Sequence, residues 1–102
     1  MFIIREVLSC KPGKVRPLID KFRTLSRAVV ATGRPPIRLL TDVSGEHFWT
    51  LIAEVSVENI NDFFSLENEV MEDKSVQNAM SGYHELVASG RREIFRVEIG
   101  ES

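Results

Sequence analysis

The sequence predicts an α+β domain in which helices cover one face of a single antiparallel sheet. Three observations lead to this fold class. Runs of β-branched and apolar residues open and close the chain, a Gly-containing hairpin signal lies between two further runs, and each half carries one amphipathic helical region. In order, the elements are β-α-β-β-α-β, the split βαβ arrangement of ferredoxin-like sheets. The length allows one domain, residues 1–102, with a modest core.

The first half of the chain contains one strand and one long helix. The strand is expected over Phe2–Cys10 and stops at the turn sequence Lys-Pro-Gly-Lys, residues 11–14. The helix is expected from Lys14 to Ala31, because apolar side chains recur there at helical spacing. Pro17 fits its first turn, where a missing N–H would have had no partner. Gly33 then ends the helix.

A hairpin is predicted in the middle of the chain. Its strands are Ile37–Val43 and Phe48–Val57, and residues 44–47, which include a glycine, connect them. The odd-numbered positions from Trp49 to Val57 are all apolar, so this side of the strand is expected to face the helices.

The last third is predicted as an interrupted helical region followed by a strand. Ser56 is the predicted N-cap, and the apolar stripe weakens near 72–75, where a break is expected. Gly90 is expected to end the region before a final strand over Arg92–Ile99. The odd-numbered residues of that strand are assigned to the helix-facing side.

The other face of the sheet is expected to be about half apolar. The residues assigned to it are Phe48, Thr50, Ile52, Glu54, Ile94, Arg96 and Glu98, with Leu39 or Leu40. A solvated antiparallel face should be mostly polar, which favours a homodimer packed sheet to sheet as an eight-stranded composite barrel. A monomer with a partly apolar sheet is the alternative. Arg5 or Glu6, with Glu54 and Arg96, is predicted to form a salt-bridge network on this side, with a catalytic carboxylate as the alternative.

The overall charge gives no reason to expect a nucleic acid or an anionic membrane as partner. The formal net charge is only −2. Cys10 is the only cysteine, which favours a reducing compartment, the cytoplasm. We expect it to be a small apolar side chain at a strand end rather than a reactive thiol. No stretch approaches the ~20 apolar residues that cross a bilayer. RNA-recognition domains share the element order. Their third strand needs a basic residue in its signature, but the corresponding segment here, residues 45–50, has the acidic Glu46 instead.

Several segments together resemble the dimeric α+β barrel superfamily. They are the turn at 11–14, the hairpin connection at 44–47, the strand containing Trp49 and the long broken helical region; the segment 5–14 is most similar to NIPSNAP-type and antibiotic-biosynthesis-monooxygenase-like small proteins. The resemblance implies a homodimer with a small-molecule cavity between sheet and helices in each subunit. Members include cofactor-free oxygenases, haem degraders, isomerases, decarboxylases and ligand sensors, so the fold does not name a reaction.

The candidate catalytic residues are Tyr83, on the apolar stripe, and the adjacent His84. An imidazole beside a phenol can position or deprotonate a small acidic substrate near neutral pH, although a core tyrosine with a half-buried histidine is the alternative. The candidate ligand-binding residues are Trp49, Phe63, Phe64 and Met80. The aromatic side chains are expected to converge between helix and sheet on a flat ligand, or else simply to be core; they are Trp49, Phe63, Phe64 and Tyr83.

No metal or other cofactor is expected. His47 beside Glu46 could form a metal or proton-transfer pair, or a solvated turn, but no third ligand stands at a recognisable spacing. The asparagine, tryptophan and histidine set of haem-degrading members cannot be placed in this chain. The sequence thus favours binding or transformation of a small apolar or aromatic metabolite, as a cofactor-independent monooxygenase or isomerase. The alternative is a non-catalytic ligand-binding or stress-associated protein of the same fold.

Overall fold

The computed structural model describes residues 1–100 and shows one antiparallel sheet with all helices on one face. The strands are β1 (Phe2–Cys10), β2 (Arg38–Thr41), β3 (Thr50–Val57) and β4 (Val87–Arg96). The helices are α1 (Val15–Ala31), α2 (Ile60–Met71) and α3 (Lys74–Met80), followed by a 3₁₀ turn (Tyr83–Glu85). The sheet order is β2-β3-β1-β4 and the sheet is open at both edges. The predicted α+β class and the βαββαβ order are confirmed.

Helix α1 follows the apolar stripe that predicted it. Its buried residues are Leu18, Ile19, Phe22, Leu25 and Val29. The chain enters the helix through Gly13, whose φ of 76° is a left-handed conformation that suits glycine. At the other end the Thr32 hydroxyl donates to the carbonyl oxygen of Val29 at 2.6 Å. Lys21 donates to the Ala79 and Ser81 carbonyl oxygens at 2.9 and 2.7 Å, which fastens α1 to the end of α3.

The predicted break in the second helical region is confirmed. Helix α2 ends at Met71, and Asp73 caps α3 by accepting a hydrogen bond from the Ser75 backbone N–H at 2.8 Å. The predicted N-cap of α2 is wrong, because Ser56 still belongs to β3, where it pairs with Ile3. Asn59 caps α2 instead, accepting from the Asn61 N–H at 2.9 Å.

The expectation that the helical region continues to Gly90 is wrong. Helix α3 stops at Met80, Gly82 takes a φ of 79°, and β4 begins at Val87. The far end of β1, up to Cys10, offers backbone partners to residues 87–90. These residues therefore join β4, which begins earlier than expected. Gly90 lies inside β4 opposite Leu8, and a Cβ there would come within 2.9 Å of the Leu8 side chain.

The two faces of the sheet follow from the register. Ile4 and Glu6 of β1 lie opposite Val55 and Ala53 of β3, so the odd-numbered residues of β3 face the helices as predicted. In β4 the assignment is reversed: the even-numbered residues face the helices, and Phe95, opposite Ile3, lies on the other face. The reason is that β4 carries apolar side chains on both sides, so its own alternation does not choose a face.

The face away from the helices is called the open face below. Leu40 lies on it opposite Ile52, whereas Leu39 lies opposite Ala53 on the helix side. The hydrophobic core is on the helix side, where the side chains of Ile4, Leu18, Leu51 and Val76 are fully buried. No helix among residues 1–100 combines the length and apolar character needed to cross a bilayer.

Candidate functional site

A cavity of about 310 Å³ lies between the sheet and the helices, partly open to solvent. Sheet residues form its floor, among them Ile4, Leu8, Ala53 and Val55, while α1, α2 and α3 supply the walls. The lining is almost entirely apolar because the floor consists of the helix-facing positions of β1 and β3. A concave apolar space with a few polar groups is the usual form of a small-molecule site.

Three of the predicted site residues line this cavity. Phe63 of α2, Met80 at the end of α3 and Tyr83 of the 3₁₀ turn all contribute to its wall. The ring of Tyr83 lies against that of His84, with centroids 4.0 Å apart. His84 itself is exposed and does not line the cavity. The predicted catalytic pair is therefore in contact, with only the tyrosine at the cavity.

The structure does not bring Phe64 and Trp49 to the same place. Phe64 lies on the outer side of α2 and is 44% exposed, touching Phe63 edge to face. Trp49 precedes β3 with a φ of 60°, so it leaves the alternation of the strand. It borders a separate shallow recess with Arg16 and Phe48 near the start of α1. The expected convergence of four aromatic side chains is thus limited to Phe63 and Tyr83.

A group of three charged residues at the cavity was missed by the sequence analysis. Arg92 of β4 donates from Nε to Glu6 of β1 and from Nη2 to Glu67 of α2, and all three side chains line the cavity. The guanidinium carbon lies 5.0 Å from the centre of the Phe63 ring. We call Glu6, Glu67 and Arg92 the polar corner.

The polar corner is electrostatically coupled. Partial burial works against the charged guanidinium, but the hydrogen bonds to Glu6 and Glu67 outweigh that effect, so the pKa of Arg92 is raised. One signal could have revealed the corner: Glu6 stands between Ile4 and Leu8 on the alternating side of β1 that faces the core. A charge at such a position needs a partner. The sequence does not identify that partner, because Arg92 comes to lie beside Glu6 only through the pairing of β1 with β4.

A second charged group lies on the open face. Glu54 is only 6% exposed and accepts a hydrogen bond from Arg5 Nε at 2.8 Å. Its other oxygen, Oε1, lies 3.5 Å from Nη1 of Arg38 in a second ion pair. The Arg5 guanidinium lies over the ring of Phe95 at 5.5 Å. The predicted network is confirmed for Arg5 and Glu54. It is wrong for Glu6 and Arg96, which both lie on the helix-facing side of the sheet.

The remaining candidates show no arrangement suited to catalysis. Cys10 is buried, and burial together with the nearby Asp42 raises the pKa of its thiol, which disfavours the reactive thiolate. His47 lies 3.8 Å from Glu46 in an exposed connection. Within the described residues no three His, Cys, Asp or Glu side chains gather as ligands for a metal ion.

Comparison with known proteins identifies the fold. Neither a protein-family model nor a curated protein sequence matches the chain. An uncharacterised NIPSNAP-like domain protein from Burkholderia xenovorans superposes with a TM-score of 0.79 at 12% identity, covering 99% of this chain and 89% of that one. Protein Atu4242 from Agrobacterium tumefaciens gives 0.78 at 10% identity, covering 94% and 92%.

A third similar structure belongs to a candidate antibiotic biosynthesis monooxygenase from Nitrosomonas europaea. Its TM-score is 0.71 at 10% identity, with 97% of this chain and 100% of that chain covered. The resemblance expected from the sequence is thus confirmed for the fold over nearly the whole chain. At identities of 10–12% these similarities establish the architecture only, so the activity has to be argued from the residues of the cavity.

Proposed function

We propose that this protein binds a small apolar or aromatic metabolite between its sheet and helices, and transforms it by oxygenation or isomerisation without a bound cofactor. The observation that carries the proposal is the apolar cavity of about 310 Å³ on the helix side of the sheet. Its volume is near the lower end of the range for small-molecule sites and suits a ligand of roughly two fused rings.

We assign proton handling to Tyr83, the member of the predicted catalytic pair that lies at the cavity. It lines the cavity, and its ring lies against exposed His84, which offers a route to solvent. In a cofactor-free oxygenation the substrate supplies the electrons: R₂CH₂ + O₂ gives R₂C=O + H₂O, after a proton has left the activated methylene. Tyr83 would receive or pass on that proton, while Phe63 and Met80 would hold the apolar body of the substrate.

A second candidate function is ligand binding without turnover. It is favoured by the position of His84, which is outside the cavity and leaves the site without an imidazole. The same cavity would then serve to carry or sense its ligand, as in the non-catalytic alternative expected from the sequence.

We also propose that the protein is a homodimer formed through the open face. The apolar side chains there, exposed Phe95 and the partly buried Ile52 and Leu40, would be covered by the same surface of a second copy. Dimer formation would bury few unpaired charges, because Glu54 is already paired within one chain. The single buried cysteine fits a reducing compartment, and we place the protein in the cytoplasm.

A fluorescence titration with 2-naphthylmethanol tests the binding site. Saturable binding is expected, and Ala53→Leu, which adds volume on the cavity floor, should weaken it at least tenfold. Ala88→Leu makes the same change at an exposed position of β4 and should leave the affinity unchanged. Thermal unfolding of both variants shows whether each is folded. Equal affinities of the two folded variants would place the probe elsewhere.

Oxygen uptake separates the two candidate functions. The probe is 2-tetralone, a two-ring ketone with an acidic methylene. Catalysis predicts uptake above the rate without protein, lost in Tyr83→Phe and reduced in His84→Ala. Probe binding with uptake at the background rate would favour the non-catalytic function.

A further inference from the structure

The polar corner contains all the charged residues that line the cavity, among residues 1–100. Every other lining side chain is apolar except for the hydroxyl group of Tyr83. Two carboxylates and one guanidinium leave a formal charge of −1 in this corner. A ligand that fills the apolar part of the cavity therefore meets a net negative charge at its polar end.

The free hydrogen-bonding groups of the polar corner also favour a ligand that donates hydrogen bonds. Each carboxylate uses one oxygen to accept from Arg92, and the second oxygen of each makes no hydrogen bond to the described part of the chain. The side chains are about one-third exposed, so these oxygens are accessible. Carboxylates are acceptors only, so a ligand that binds them must donate.

Arg92 is a poor anchor for an anionic ligand in this setting. Its Nε and Nη2 are occupied by Glu6 and Glu67, and Phe63 lies over its guanidinium. An anion that approached the remaining N–H groups would also approach both carboxylates. Displacing Glu67 would break the ion pair that connects the sheet to α2, and displacing Glu6 would break the one that joins β1 to β4.

We propose that the polar corner selects the charge of the cavity ligand: it accepts an apolar body that ends in a hydroxyl or ammonium donor and rejects a carboxylate. This inference rests on the proposed binding function and adds a substrate class to it. Glu6 and Glu67 are then specificity-determining residues, and Arg92 holds them in position.

Three probes with one apolar body test this selection. 2-Naphthylmethanol, 2-naphthylmethylamine and 2-naphthoate differ only at the polar end, and their dissociation constants can be compared near pH 7. The alcohol and the amine are expected to bind at least tenfold more tightly than the carboxylate. In Glu67→Gln the corner becomes neutral, so the preference for the amine over the carboxylate should fall at least threefold. Glu6→Gln should shift the preference in the same direction.

Glu69→Gln is the matched control. It removes a charge from the same helix, but Glu69 pairs with Arg34 outside the cavity. It should leave the preference unchanged, and a shift as large as that of Glu67→Gln would overturn the inference by revealing a general charge effect. Tighter binding of 2-naphthoate than of the other probes would overturn the inference and leave the binding function standing. Saturable binding of none of the three would overturn the binding function itself.

Discussion

Replacing Phe95 by alanine should dissociate the proposed dimer, whereas replacing its neighbour Ile94 should not. The two residues are adjacent in β4 and similarly exposed, at 47% and 44%. They lie on opposite faces, since Phe95 pairs with Ile3 on the open face and Ile94 pairs with Ile4 on the helix side. The Ile94→Ala substitution therefore controls for the loss of an exposed apolar side chain at this place in β4.

The size of the effect follows from the exposed area of Phe95. A phenylalanine side chain buries roughly 200 Å² in full, so covering the exposed 47% would hide about 90 Å² per subunit. At about 25 cal/mol per Å², this contributes about 2.3 kcal/mol per subunit and about 4.5 kcal/mol per symmetric dimer. The dissociation constant should then rise about a thousandfold in Phe95→Ala.

Sedimentation velocity over a concentration series measures this constant. Wild-type protein and Ile94→Ala should both sediment as dimers at concentrations where Phe95→Ala sediments as a monomer of 11.6 kDa. Two results would refute the reasoning: wild-type protein that remains monomeric at high micromolar concentration, or an Ile94→Ala variant weakened as much as Phe95→Ala.

Three further predictions concern stability. Leu51→Ala, at a fully buried position of β3, should lower the free energy of unfolding by about 3 kcal/mol in urea denaturation, and a loss below 1 kcal/mol would contradict the assigned core. Asn59→Ala should cost about 1 kcal/mol by removing the cap of α2, whereas Asn59→Ser should retain most of it; equal losses would argue against a capping role. Hydrogen bonds from the Ser75 hydroxyl and backbone N–H lower the pKa of Asp73 below 3.8, so its contribution to stability is complete above that pH and is lost as the pH falls through the lowered pKa. Thermal unfolding of Asp73→Asn should therefore depend less on pH between about pH 5 and about pH 2 than that of the wild type, and parallel curves would contradict this.

Much of the architecture could be predicted because it depends on local periodicity. The bounds of β1, the buried stripe of α1 and the interruption before Asp73 all follow from the spacing of apolar residues and from turn and cap chemistry. The errors lie where pairing between distant segments overrides local preference. Strand β4 extends back through Gly90, because β1 offers it backbone partners there.

The candidate site was predicted only in part, and for the same reason. Tyr83, Met80 and Phe63 could be placed at a cavity because they follow the helical stripe toward the sheet. Trp49 could not be excluded from it, since a positive φ before β3 leaves no mark in an alternating pattern. Arg92 could not be included, because its residue type suggests a solvated surface.

The sequence by itself determined that a helix-covered antiparallel sheet forms, since the periods of 3.6 and 2 residues are properties of the local backbone and of the side chains along it. Only the tertiary structure decided which side of β4 faces the helices, and with it the partners of Glu6 and Arg92. The physical reason is that register joins residues far apart in the chain, where a shift of one position exchanges the two faces of a strand.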